Sequence, residues 1–241
     1  MIGLGTVINI IAIFLGGLSG IILKKVLLKR HQVTMLKACG IAVMTFGLGG
    51  AMEKMLTIQN GSIYCGKTMM IIICLSLGAF LGEMFKIEEN FEKFGMYIKK
   101  KSGNVKEKGF VDAFVNTSLA VAIGAMAIVG AIEDGALADI TILKAKSVLD
   151  FILVMVFTAS LGKGAIFSFI PVAILQGTIT IFASFLKPML TDLMLTNISL
   201  IGSILIFAIG INLTIEKKIK VANLLPAILV AIIVSLKPFC M

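Results

Sequence analysis

The sequence predicts an all-α polytopic membrane protein of about eight transmembrane helices, with an inverted repeat of three helices flanking a central helix pair. Three observations lead to this class. Mean hydropathy is +1.07, and 59% of the 241 residues are hydrophobic, against roughly half in a soluble domain. The apolar residues are gathered in blocks of about 16 to 24, long enough to cross a hydrocarbon core of ~30 Å as helices. The blocks show no strict period-2 alternation, which argues against a barrel. Helices are then the remaining way to satisfy backbone polar groups in lipid. The blocks leave no room for a soluble domain, so residues 1–241 read as one transmembrane domain.

The spans fall at about 3–23, 37–52, 68–85, 110–132, 145–161, 164–186, 198–214 and 222–236. The first opens at residue 2 without a basic leader or small-residue cleavage site, and reads as a retained helix. The third connection, residues 86–109, carries Ile87, Phe91, Phe94 and Ile98 at helical spacing among lysines and glutamates. It predicts an amphipathic helix on the membrane surface, with partner docking as the alternative. The fifth span is short and ends in the glycine-flanked "SLGKGA" (160–165). Gly16, Gly20, Gly78 and Gly82 form small-xxx-small faces suited to close helix packing or to a homodimer.

Net charge is +9, and the basic residues lie between the apolar blocks, where topology and lipid headgroups account for them without nucleic acid. About 16 of the 22 lysines and arginines follow spans one, three, five and seven; about six lie on the other side. That asymmetry places the first set in the cytoplasm of a bacterial inner membrane, with both termini outside. An ungapped shift of 163 aligns Lys24 with Lys187, Gly47 with Gly210, Glu53 with Glu216 and Lys54 with Lys217. The shift relates repeat one (about 3–85) to repeat two (about 164–236). Five spans separate them, so the second triplet is inverted, an arrangement found in transporters.

Charges inside such a bundle carry the functional reading. Asp150 lies five to six residues into the fifth span, ~8 Å below the interface, where a carboxylate needs a partner or a polar cavity. Lys146 and Ser147 share its helical face. The set is either a structural ion pair with a snorkelling lysine or the lining of an ion or proton path. Asn116, Thr117 and Ser118 offer oxygens for Na⁺, or bonds that hold helices together. Asn9 in the first span and Gln176 in "PVAILQG" of the sixth sit at comparable depths. Glu133, Asp134, Asp139 and Lys144 fall in an outer turn between the fourth and fifth spans; "DG" at 134–135 also suits a tight turn folding back into the bundle.

Enzyme motifs are absent. "GLSG" (17–20) matches a rhomboid-type nucleophile pattern, but the only histidine, His31, is in the basic first loop, and a serine nucleophile needs an adjacent base. No HExxH, GxGD or phosphate-loop motif occurs. Cys39, Cys65, Cys74 and Cys240 lack metal-site or disulfide spacing. No cofactor is expected beyond Na⁺ or H⁺ as a coupling ion.

The motifs "GTVIN…GGLSG", "SLAVAIGAMAIVGAIEDG", "KSVLD" and "PVAILQG" resemble the bacterial YqgA/YdfK-like family of integral membrane proteins, over nearly the whole chain. The resemblance implies membrane transport, because members are labelled candidate sodium channels or pumps; it assigns no substrate. It points to Asn9, Ser118, Met126, Asp134, Gly135, Lys146, Ser147, Asp150, Gln176 and Gly177. Glu133 stands where the family has glutamine, and Asn116 where a threonine is usual. The expected function is a transporter of a small ion or solute, with a channel and a non-transporting scaffold as the alternatives. Its binding residues would be Asp150, Lys146, Ser147, Ser118, Asn116, Asn9, Gln176 and Asp134.

Overall fold

A computed structural model describes residues 2–59, 61–189, 191–215 and 219–236. Glu216 and Lys217, used in the repeat alignment, lie outside them. In chain order the helices are α1 (Leu4–Val26), α2 (Lys29–Met55), α3 (Thr68–Met84), α4 (Ile87–Lys101), α5 (Phe110–Ala122) and α6 (Ala125–Leu137). They continue with α7 (Thr141–Leu161), α8 (Phe169–Ile181), α9 (Ala183–Leu186), α10 (Asp192–Thr214) and α11 (Pro226–Leu236). The 3-10 segments Lys163–Ser168 and Val221–Leu224 lead into α8 and α11. The chain forms two compact units, Met1–Cys39 with Asn90–Met189, and Gly40–Glu89 with Leu190–Met241.

Helices of the first unit are apolar outside and small or polar inside. On α1, Val7, Ile11, Phe14, Leu18 and Ile22 are exposed, whereas Gly5, Thr6, Asn9, Gly16, Gly17 and Gly20 are buried. Lipid solvates the outer stripe, and small inner residues let backbones meet. A Cβ on Gly16 would lie 2.4 Å from the Phe151 carbonyl oxygen, and one on Gly20 2.4 Å from that of Met155. So α1 and α7 run parallel in backbone contact. Opposite to them run α5 and the segment entering α8, where a Cβ on Gly164 would lie 1.9 Å from the Phe110 oxygen. The faces converge on an apolar cluster of Ile13, Val121, Val154 and Val172, edged by Ala122, Leu153 and Phe169.

The helix expected within 86–109 forms as α4. Its apolar side packs on α5: the rings of Phe91 and Phe94 lie 5.6 and 5.9 Å from that of Phe114, and Gly95 and Ile98 are buried.

In the second unit, α2 packs antiparallel on α10 through Gly40 and Gly47, and α3 antiparallel on α11 through Gly78 and Gly82. Ala51, Met70, Cys74, Leu200, Ile201, Ala227, Val230 and Ala231 form its core. Polar side chains tie the end of α3 to the start of α11. Lys220 Nζ lies 3.0 Å from Glu83 Oε1, Asn223 Nδ2 donates to Glu83 Oε2 at 2.5 Å, and the Glu88 N–H donates to Asn223 Oδ1 at 2.7 Å. The glycine faces read as packing or dimer surfaces are therefore used within the chain.

Several boundaries differ from the sequence reading. The span expected over 110–132 is broken: Ile123 is extended and Gly124 adopts φ 134°, ψ 153°, a region that only glycine enters without strain. The two halves bend by 60°. Glu133, Asp134 and Lys144 sit in helices α6 and α7, not in a turn, because the helix extends to Leu137 and α7 starts at Thr141. An exposed hairpin, Leu56–Gln59 with Ser62–Cys65, follows α2; the Asn-Gly pair that the sequence carries between the strands is a strong hairpin signal, hidden beside an apolar block. Among the described residues four helices are long and apolar enough to cross a membrane, Leu4–Val26, Lys29–Met55, Lys163–Ile181 and Asp192–Thr214, and up to six if each bent pair crosses as one.

Candidate functional site

Depth along the helices orders the interior of the first unit. One turn above the apolar cluster on three helices stand polar residues: Asn9 before Ile13, Asp150 before Val154, and Gln176 after Val172. They meet. Lys146 Nζ lies 2.8 Å from Asp150 Oδ1, Asn9 Nδ2 donates to Asp150 Oδ2 at 3.1 Å, and the same nitrogen donates to Gln176 Oε1 at 3.1 Å. Asn9 and Gln176 are fully buried, Asp150 is 3% exposed and Lys146 7%. The ammonium and carboxylate cancel, so the cluster is polar but without net charge. Asn9 Oδ1 and Gln176 Nε2 are left without a hydrogen-bond partner, an acceptor and a donor facing a buried interior. Most buried polar atoms are paired, and an exception marks strain, function or an occupant.

The remaining expected residues divide. Ser147 is buried beside this cluster, but its hydroxyl donates back to the carbonyls of Leu143 and Lys144 at 2.8 and 2.9 Å. Asn116 is only half-buried and donates from Nδ2 to its own helix, at Asp112 O, 2.9 Å. Ser118 and Thr117 are fully buried with unpartnered hydroxyls. On α5 they lie one turn from Val121, on the other side of the apolar cluster from Asp150.

Asp134 belongs to a second site. Fully buried, its carboxylate accepts the N–H of Gly5 at 3.1 Å and of Thr6 at 2.8 Å. These are free amides of the first turn of α1, where a helix leaves donors unpaired and carries partial positive charge. Asp134 thus caps α1 from another helix. Thr6 and Thr180 bridge through their hydroxyls at 2.8 Å, and Thr180 donates to the Ala131 carbonyl at 3.2 Å. Gly135 makes room, since a Cβ there would lie 2.2 Å from the Thr180 oxygen. Thr6 and Thr180 carried no sequence signal: they are 174 residues apart and ordinary within apolar helices. Asp139 remains an exposed loop acid. Its hydrogen bond from Thr141 holds its carboxyl below the ordinary range.

A family model described as "Protein of unknown function (DUF554)" matches residues 4–236, and the chain belongs to that family. "Uncharacterized protein YqgA" of Escherichia coli (strain K12) is 29% identical over 236 residues, 96% of each chain. "Uncharacterized membrane protein YdfK" of Bacillus subtilis (strain 168) is 27% identical over 226 residues, 94% of this chain and 93% of the relative. No solved structure matches the chain.

Proposed function

We propose that this membrane protein is a transporter of a small ion or solute, coupled to Na⁺ or H⁺, with Asp150 as its charge-carrying residue. One observation carries the reading: the Lys146–Asp150 pair, bound to Asn9 and Gln176, with two amide atoms left unpaired at the meeting of three helices. Apolar packing would hold the same helices together without desolvating two charges. Ionisable residues inside membrane bundles mark ion and proton pathways by default. Lys146 acts as a resident cation, which an incoming cation must displace from Asp150 for the site to stay neutral.

Helix directions support eight spans, with α7 and Val221–Leu236 joining the six that length and composition identify. The first and fifth spans run parallel, as do the fourth and sixth, while the third and eighth and the second and seventh are antiparallel, all as alternate crossing requires. The inverted repeat gains support from the pairing. Under it α1 corresponds to α8, α2 to α10 and α3 to α11. The second unit pairs α2 with α10 and α3 with α11; in the first, Asn9 on α1 bonds Gln176 on α8. The distribution of basic residues between the loops supports an orientation with both termini outside a bacterial inner membrane.

A carrier fits better than a channel because Ile13, Val121, Val154 and Val172 close the bundle below the polar cluster. The scaffold reading draws less support, because Phe91 and Phe94 of α4 pack on Phe114 within the chain. The test is counterflow or ion flux in proteoliposomes for wild type, Asp150→Asn, and Asp150→Asn with Lys146→Gln. Loss of flux in both variants, with the double variant monodisperse and cooperatively melting, is the expected result. Normal flux in either folded variant would sink the assignment.

A further inference from the structure

The apolar cluster has polar residues on both of its sides. On α7, Asp150 and Thr158 are eight residues apart, ~12 Å along the axis, with Val154 midway. On α8 and the segment before it, Gln176 and Ser168 are likewise eight apart, with Val172 midway. On α5, Thr117 and Ser118 lie one turn before Val121. Because α5 and α8 run opposite to α7, all four hydroxyl residues fall on the same side of the cluster, away from Asp150. Each is fully buried, and none of the four hydroxyls has a hydrogen-bond partner.

Their neighbours elsewhere in the chain behave differently. The hydroxyls of Thr45, Ser147, Thr178, Thr196 and Ser235 all donate to the carbonyl four residues earlier, the usual way a helical serine or threonine is satisfied. Thr117, Ser118, Thr158 and Ser168 do not. Ser160 also has an unpartnered hydroxyl, but it is only half-buried and off the face carrying Val154 and Thr158.

We infer that Thr117, Ser118, Thr158 and Ser168 form a second, uncharged coordination layer for a dehydrated monovalent cation, separated from Asp150 by the apolar cluster. Hydroxyl oxygens suit a hard cation, and the absence of a carboxylate suits a single charge. The C-terminus of α7 favours a cation on its side of the layer. Helix α7 ends at Leu161, one turn past Thr158, so the negative end of its dipole lies beside the layer. The amides of Lys163 and Ala165 go to Glu107 Oε1 and Gly162 O instead of capping it. The amide at the start of α8 is consumed by the preceding segment, Phe169 N–H donating to Ile166 O. The first layer is already neutralised by Lys146. The second offers a cation hydroxyl oxygens, and the ammonium nearest the end of α7, Lys24 Nζ, lies 3.8 Å from Glu107 Oε1.

The inference rests on the transporter reading only in taking the bundle as membrane-embedded; it does not require Asp150 to hold the cation. Its test is thermal unfolding of the purified full chain in detergent, with Li⁺, Na⁺ and K⁺ titrated against choline at constant ionic strength. Wild type is compared with Thr158→Val, Ser118→Ala, Ser168→Ala and Asp150→Asn with Lys146→Gln. At about a hundredfold excess over Kd, a ligand of the folded state raises Tm by roughly 5–10 °C. The expected result is an ion-specific rise that survives in the Asp150/Lys146 double variant and disappears in Thr158→Val. Should Thr158→Val not fold, the two alanine variants decide by the same criterion. A rise lost in the double variant but kept in every hydroxyl variant would overturn the second layer and leave the Asp150 reading standing. No ion-specific rise in wild type would also overturn it, leaving water as the partner of these hydroxyls.

Discussion

At residue scale, a buried ion pair and a buried cap look alike in sequence and differ in what they hold. Asp150→Asn strands the Lys146 ammonium, and loss of one member of a buried pair costs about 3–5 kcal/mol. Adding Lys146→Gln removes the stranded charge, so the double variant should unfold above the single one in a thermal scan in detergent. Asp134→Asn is a different experiment. The amide keeps one acceptor for the two N–H groups of α1 and loses the charge that complements its dipole, a cost of about 1–2 kcal/mol. Transport by that variant should remain, and a flux assay beside the melting curve separates the two aspartates. Asp150 was legible because depth makes a lone carboxylate conspicuous. Asp134 was nominated as well, but its capping role was not legible, since its partners are the backbone amides of Gly5 and Thr6 and no pattern of side chains announces them.

At element scale, glycine does two separate jobs. Gly124 sits at φ 134° in the break between α5 and α6, so Gly124→Ala should cost roughly 1–3 kcal/mol through backbone strain. Gly177 is helical with nothing within 4 Å of its Cβ position, and Gly177→Ala should be neutral or stabilising by about 0.5–1 kcal/mol. Paired unfolding curves of the two variants check both. The breadth of the apolar blocks made α1, α3 and the C-terminal end of α10 readable to within a few residues, whereas α10 begins six residues before the expected 198. The break at Ile123–Gly124 escaped notice because "AVAIGAMAIVG" is uniformly apolar, and a bend depends on one residue's dihedral angles, which hydropathy does not record. The Asn-Gly hairpin was lost for the opposite reason, a short polar signal beside a long apolar one.

At the scale of the whole molecule, topology is the testable quantity. With Cys39, Cys74 and Cys240 replaced by alanine, exposed Cys65 of the hairpin should react with an impermeant maleimide added to intact cells. A cysteine placed at Gly103, in the loop after α4, should react only after permeabilisation. Labelling of both from outside would refute the eight-span orientation. Composition and block length by themselves determined the class of this protein, because the cost of burying backbone in lipid leaves so few solutions, and charge placement determined the expected sidedness. Depth alone nominated Asp150, Asn9 and Gln176. Only the tertiary structure decided that these three converge with Lys146, that Asp134 caps a helix, that Asn116 turns back on itself, and that four hydroxyls lie beyond an apolar barrier. Periodicity reports which face of a helix is buried. Which helices those faces meet is set by glycine contacts between segments distant in sequence, such as Gly16 with Phe151 and Gly78 with Ala227, and no local pattern carries that information.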